Sequence, residues 1–103
     1  MLDKHAIHDQ LRAHAAALRP LGVGRVALFG SFARGQQGAG SDIDLLVDFV
    51  DDEAETFDHF INLCFLLDGL FPGYRVEVVT RRSLSPYLGP TILREAEDVQ
   101  LAA

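Results

Sequence analysis

The sequence predicts an α+β domain in which helices flank a small mixed β-sheet. Three observations predict it: helical and strand-like stretches alternate along the chain, 49% of the residues are apolar, and 103 residues suit one small domain. That apolar share is too high for a disordered chain with 23% charged residues. We therefore expect residues 1–103 to form a single domain around one core.

The first predicted element is a helix over residues 3–19. Apolar residues recur along it at helical spacing: Ile7, Leu11, Ala15 and Leu18. Asp3 is the expected N-cap, and Pro20 and Gly22 are expected to end the helix.

Two strands should follow, separated by a turn and a loop. Residues 25–29 are a short apolar run bounded by glycines, which indicates a buried strand. Residues 30–35 then predict a turn with one helical turn, and the glycine-rich residues 36–40 a mobile loop. Residues 42–49 are the clearest strand, because their side chains alternate. One face has Ile43, Leu45, Val47 and Phe49, and the other has Asp42, Asp44, Leu46 and Asp48.

The second half should add a helix, a strand and a last helix. Residues 56–70 predict a helix with an unusually wide apolar face, and residues 74–80 a third strand. On that helix the main stripe is Phe57, Phe60, Ile61, Cys64 and Leu67, widened by Leu63, Leu66 and Leu70. Residues 83–97 indicate a helical stretch interrupted near Pro90, and residues 99–101 a short edge strand.

Charge and cysteine content exclude several classes of protein. A net charge of −6 disfavours DNA or an anionic membrane as the main ligand, since such binding needs clustered Lys and Arg. The single cysteine, Cys64, rules out an internal disulfide and is expected to be a small buried apolar residue. No stretch has the pattern of a signal peptide or a membrane span, so we expect a cytoplasmic protein.

Candidate chemistry centres on Asp42 and Asp44. Alternation along the strand places both carboxylates on one face, about 7 Å apart. Two such groups repel each other unless a cation lies between them, and Mg²⁺ prefers oxygen ligands. Alternatively, Asp42 caps a turn and Asp44 lies on a solvated face, which is the commoner outcome for an isolated Asp-x-Asp pair.

The turn after the first strand favours the metal alternative. Gly30 lets the backbone approach a ligand closely, and Ser31 offers a hydroxyl and an N–H group to a phosphate. Arg34 either adds a cation to this site or forms a structural ion pair. The combined pattern is far more specific than a lone Gly-Ser or a lone Asp-x-Asp. It consists of Gly-Ser, then Arg-Gly, then Ser-Asp-x-Asp-Leu.

These motifs resemble the signature of the polymerase-β-type nucleotidyltransferase superfamily. They run from Gly30-Ser31-x-Ala33-Arg34-Gly35 to Ser41-Asp42-Ile43-Asp44-Leu45. Within that superfamily, the size and motifs are similar to the minimal nucleotidyltransferases, which commonly act as antitoxins of HEPN-domain RNase toxins. The resemblance covers the chain from the strand at Val26 to the helix ending in Arg94-Glu95. It implies a polymerase-β-like fold, ATP as substrate and a HEPN toxin as partner.

The resemblance also implies roles for individual residues. Gly30 and Ser31 would hold the triphosphate tail, with Arg34 as a further contact, and Asp42 and Asp44 would hold two Mg²⁺ ions. A third carboxylate on the later strand, usually Asp in the family, would bind the catalytic metal and help deprotonate the attacking hydroxyl; this chain has Glu77 at that position. Glu is one methylene longer than Asp, which moves its carboxylate outward by roughly 1.5 Å. A misplacement of that size can lower the rate of catalysis about a hundredfold.

Two functions therefore remain open at the level of sequence. In the first, the chain is an enzyme that transfers AMP from ATP to a tyrosine of the toxin. In the second, it is a catalytically weak antitoxin that neutralises the toxin by contact, using the wide apolar helix at residues 56–70. That helix is also the expected surface for any homo-oligomer.

Several other polar residues carry weaker expectations. The histidines His5 and His8 are expected on a solvated helix face rather than at a metal, because no third ligand is evident. Asp48 is expected to be peripheral to the aspartate pair. Arg81 and Arg82 either meet nucleotide or partner, or have a surface role.

Overall fold

The computed structural model describes residues 2–101. Its elements follow one another in the predicted order of helix, strand, strand, helix, strand and helix, with a short strand at the end. They are α1 (Lys4–Ala13), α2 (Ala15–Leu18), β1 (Val23–Phe29), α3 (Gly30–Arg34), β2 (Ile43–Phe49), α4 (Phe57–Leu70), β3 (Val76–Thr80), α5 (Gly89–Glu95) and β4 (Glu97–Asp98).

The strands form a four-stranded mixed sheet in the order β3-β2-β1-β4. β1 is antiparallel to both β2 and β4, whereas β2 and β3 are parallel. Parallel neighbours need a crossover connection, and α4 is that crossover. The predicted α+β fold with a small mixed sheet is therefore confirmed.

Helices cover both faces of this sheet, because the strand side chains alternate as predicted. Ile43, Leu45 and Val47 of β2 are fully buried in the main core, which α1 and α4 close. On the opposite face, Leu46 packs in a second, smaller cluster beneath α5. Asp44 has the same strand parity as Leu46, so its side chain emerges on the α5 face.

The predicted helix at residues 3–19 is wrong in one respect, because it breaks at His14. The backbone of His14 leaves helical geometry at φ −109° and ψ 18°. Its ring Nδ1 lies 2.9 Å from the carbonyl oxygen of Gln10, which competes with the backbone bond of the next turn. The chain then forms α2 and a 3₁₀ turn, Arg19–Leu21. The Asp3 cap is confirmed, since its Oδ1 accepts the Ala6 N–H at 2.9 Å.

The predicted apolar stripe on α4 is also partly wrong. Leu67 of the predicted stripe and Leu63, which widened it, are fully buried, but Phe57 of the stripe is 77% exposed. Phe65, which lies outside the predicted stripe, is 71% exposed. Apolar side chains of α4 lie on nearly every side of the helix, so the periodicity of the sequence does not show which side is buried. Cys64 is half-buried, and burial raises the pKa of its thiol, with a smaller contribution from Asp68.

The last helix is shorter than predicted, and the edge strand begins earlier. Residues 81–83 form a 3₁₀ turn, and α5 begins only at Gly89 because Pro90 fits the first turn of a helix. β4 pairs with β1 at Glu97–Asp98 rather than at residues 99–101. Val99 still donates its N–H to the carbonyl of Val26 at 2.8 Å, so the pairing extends one residue further.

Across the described residues, none of the helices is both long and apolar enough to cross a bilayer.

Candidate active site

The two halves of the sequence motif meet at one end of the sheet. β1 ends at Phe29, which pairs with Asp44 of β2, and Asp44 in turn pairs with Glu77 of β3. Asp42 lies just before β2 rather than within it. Because α3 follows β1 without a linker, the Gly30 turn and the predicted carboxylates lie side by side.

Gly30 approaches Asp44 so closely that no other residue fits there. Its φ is +78°, a conformation that side chains disfavour. A Cβ added to Gly30 would lie 2.1 Å from Oδ2 of Asp44. The structure thus shows a close approach at Gly30, but to a carboxylate of the chain itself, and the predicted approach to a ligand stays a prediction.

Asp44 is the most strongly perturbed carboxyl group of this site. Its pKa is raised from 3.8 to about 6, first by burial and then by the negative charge of Glu77. The side-chain interaction with Glu77 and the charge of Asp42 raise this pKa further, while Arg34 lowers it. The three predicted carboxylates thus lie near enough to repel one another, which is the electrostatic situation that a cation relieves.

The carboxylates do not form a finished metal cage. Among residues 2–101, no three His, Cys, Asp or Glu side chains converge in the geometry of a metal site. Mg²⁺ is usually held by one or two carboxylates together with waters and substrate phosphates, so it does not need such a cage. The Asp44 carboxylate, with its raised pKa and its carboxylate neighbours, is an oxygen donor that fits that ion.

Glu95, a residue that the sequence did not indicate, connects the two ends of α3. Its Oε1 accepts the Gly30 N–H at 3.0 Å, and both of its oxygens accept from Arg34 Nη1, at 3.1 and 3.0 Å. Of the two alternatives for Arg34, the structural ion pair is therefore present in the structure. Ser31 is half-buried at the second position of α3. Glu95 follows Arg34 by 61 residues, and no spacing rule links positions so far apart.

The remaining candidates lie in surface ion pairs. Arg81 holds Asp48 with two hydrogen bonds, at 3.0 and 2.9 Å, which lower the pKa of that carboxyl. Arg82 contacts Asp52 at 2.6 Å. His8 lies 3.7 Å from Glu97.

The fold and the sequence together define a family. The model of the nucleotidyltransferase domain matches residues 9–99, so the chain belongs to the nucleotidyltransferase domain family. Among curated proteins it is similar to the protein adenylyltransferase MntA of Thermococcus cleftensis. The two are 40% identical over 96 residues, which cover 92% of this chain and 94% of that protein.

Solved structures agree with that assignment. One, assigned to the minimal nucleotidyltransferases, is 38% identical with a TM-score of 0.68 and covers 92% of this chain and 94% of that chain. Another is a toxin–antitoxin crystal structure with AMP-PNP, at 25% identity and a TM-score of 0.58. The match covers 92% of this chain and 73% of that chain. The predicted resemblance to minimal nucleotidyltransferases and the predicted enzyme class, nucleotidyltransferase, are both confirmed.

Proposed function

We propose that this chain transfers AMP from ATP to a hydroxyl group of a partner protein and thereby acts as an antitoxin. The partner would be a HEPN-domain toxin, the acceptor one of its tyrosines, and the compartment the cytoplasm. The observation that carries this proposal is the position of Asp44, which pairs with Glu77 on the next strand and lies against the Gly30 turn. Asp42 is near enough for its charge to raise the pKa of Asp44. The relative named as a protein adenylyltransferase and the toxin–antitoxin structure with AMP-PNP support it.

Asp42, Asp44 and Glu77 are the residues that would hold Mg²⁺, with two ions expected as in other two-metal transferases. Bound Mg²⁺ supplies positive charge that stabilises the attacking and leaving oxygens. The raised pKa of Asp44 supports this assignment, because a buried carboxylate facing like charges gains most from a cation.

The triphosphate tail of ATP would lie against the start of α3. Ser31 would contribute its hydroxyl and backbone N–H there, and Gly30 lets the tail come close because it has no side chain. The Gly30 N–H and the Arg34 guanidinium both contact Glu95. Arg34 therefore contributes its charge to the site while it remains paired.

The reaction is an in-line displacement at the α-phosphorus. The acceptor oxygen forms a bond to that phosphorus as the bond to the β-phosphate oxygen breaks, and pyrophosphate leaves. Glu77 would accept the proton of the attacking hydroxyl, because it is the more exposed partner of the Asp44 pair. The chain otherwise contributes position and charge.

The direct test is transfer of label to the toxin. The protein is incubated with Mg²⁺, the candidate toxin and ATP labelled at the α-phosphate. We expect label on the toxin with the wild-type chain and with Asp52→Asn, a surface control, but none with Asp42→Asn. Equal labelling by wild type and Asp42→Asn would contradict the proposal.

A second candidate function is neutralisation by contact alone. The observation in its favour is the exposed apolar side of α4, where Phe57 and Phe65 are largely solvent-accessible. Exposed apolar patches commonly mark interaction surfaces, for a toxin or for a second copy of the chain. In the labelling experiment, stable binding and inhibition of the toxin without label would favour this function over transfer.

A further inference from the structure

One carboxylate holds α3 at both of its ends. Glu95, the last residue of α5, accepts from the backbone N–H of Gly30, the first residue of α3, at 3.0 Å. It also pairs with the guanidinium of Arg34, the last residue of α3, at 3.0 and 3.1 Å. The Glu95 side chain is only 24% exposed, which limits the competition of water for these bonds.

The Gly30 N–H needs a partner from outside its own helix. The first N–H groups of any helix have no intrahelical acceptor, and Gly30 is buried against Asp44. A carboxylate is a strong acceptor for such a group. Glu95 therefore fixes the turn in which Gly30 adopts φ +78°, and with it the orientation of Ser31 relative to Asp44.

We propose that Glu95 is a positioning residue for the nucleotide, which holds the Gly30-Ser31 turn in the orientation that the triphosphate tail requires. The inference rests on the proposed function, since it concerns the same site. Glu95 does not contact the nucleotide itself; it acts through Gly30 and Arg34. Loss of Glu95 should therefore weaken recognition of the tail and leave recognition of the nucleoside unchanged.

Affinities for ATP and for AMP, measured by calorimetry with Mg²⁺ on the full chain, separate these effects. AMP lacks the tail beyond the α-phosphate. For Glu95→Ala we expect ATP to bind about tenfold more weakly, the loss typical of a charged hydrogen bond, while AMP affinity is unchanged. Glu95→Gln should retain most of the ATP affinity, because its amide oxygen can still accept from Gly30.

The control is Glu97→Ala, which removes a neighbouring carboxylate that pairs with Lys4 at 3.1 Å and does not contact α3. It should leave both affinities as in the wild type. If Glu95→Ala does not fold, Glu95→Asp replaces it: the charge stays, but the carboxylate falls roughly 1.5 Å short of Gly30, and ATP affinity should drop.

Two results would overturn the inference in distinguishable ways. A wild-type preference for ATP over AMP that is unchanged in Glu95→Ala or Glu95→Asp would overturn the role of Glu95 alone. A lower melting temperature of the variants would not rescue the inference. A purely structural role lowers stability without changing the ratio of the ATP and AMP affinities. A wild-type chain that binds neither nucleotide would overturn the proposed function together with this inference.

Discussion

Gly30 and Asp44 are in such close contact that a Cβ on residue 30 would lie 2.1 Å from Oδ2 of Asp44. The turn that begins α3 and the carboxylate that emerges from β2 are therefore one structural unit. A side chain at position 30 would clash with the Asp44 carboxylate, which explains why glycine stands at this position.

Replacement of Gly30 by alanine tests this contact. We expect Gly30→Ala to lose about 1–2 kcal/mol from the positive φ and a further 1–3 kcal/mol, roughly, from the clash with Asp44. Gly73→Ala is the matched control, because Gly73 also has a positive φ, +86°, but no atom lies within 4 Å of its added Cβ. Chemical denaturation measures the free energy of unfolding of both variants. Equal losses at the two positions would show that the Asp44 contact has no energetic weight.

The pH dependence of stability tests the environment of Asp44. Its pKa is about 6 in the folded chain against a reference of 3.8, so the folded state binds this proton more tightly than the unfolded state. The stabilising contribution of the protonated group is complete below pH 3.8 and is lost as the pH rises through about 6. Asp44→Asn, which stays neutral, should therefore gain stability over the wild type as the pH rises from about 4 to about 7.

Asp48 provides a control of opposite sign in the same strand. Arg81 lowers the pKa of Asp48, so this ion pair stabilises the fold above the reference pKa and is lost as the pH falls through the lowered value. Asp48→Asn should lose stability at neutral pH and approach the wild type in acid. Thermal melts of metal-free protein from about pH 2 to about pH 7 measure both variants, because the Asp48 effect falls at the acid end of that range and the Asp44 effect above it. If the stability difference from the wild type changed with pH in the same way for both variants, the assigned pKa shifts would be contradicted.

The inward face of α4 yields a third prediction. Leu67→Ala should cost about 2–5 kcal/mol, the usual range for a fully buried leucine. Phe65→Ala, on the 71% exposed side, should change stability by no more than about 0.5 kcal/mol. Urea denaturation of both variants decides the matter. A large loss for Phe65→Ala would mean that this side of α4 is covered, as it would be in a stable homo-oligomer.

The sheet and the face of it on which Asp44 lies were predictable because they depend on local patterns. Alternation along β2 predicts that Ile43 and Asp44 lie on opposite faces of the sheet. It thereby predicts the face on which the candidate carboxylates lie. Asp3 was recognisable as an N-cap for a similar reason, since the cap bond spans only three residues. Each of these features is encoded within a few positions of the sequence.

The features that sequence reasoning missed depend on contacts between distant segments. Glu95 belongs to the site only because β4 returns to β1 and brings the end of α5 against Gly30. The apolar face of α4 was assigned too widely and included the exposed Phe57, because apolar residues lie on nearly every side of that helix. Only packing against the sheet selects Leu63 and Leu67 as its fully buried members. At the break, the His14 side chain contacts the Gln10 carbonyl at 2.9 Å, a feature that no periodicity reveals.

Magnesium-dependent binding of ATP is the most direct test of the central claim, which is that Asp42 and Asp44 gather Mg²⁺ beside the Gly30 turn. Calorimetry would compare wild type and Asp44→Asn, each with Mg²⁺ and with a chelator. We predict that ATP affinity in the wild type falls at least about tenfold when Mg²⁺ is removed, and that Asp44→Asn behaves as the metal-free wild type does. Equal ATP affinity with and without Mg²⁺, or an Asp44→Asn variant as strongly Mg²⁺-dependent as the wild type, would contradict the account.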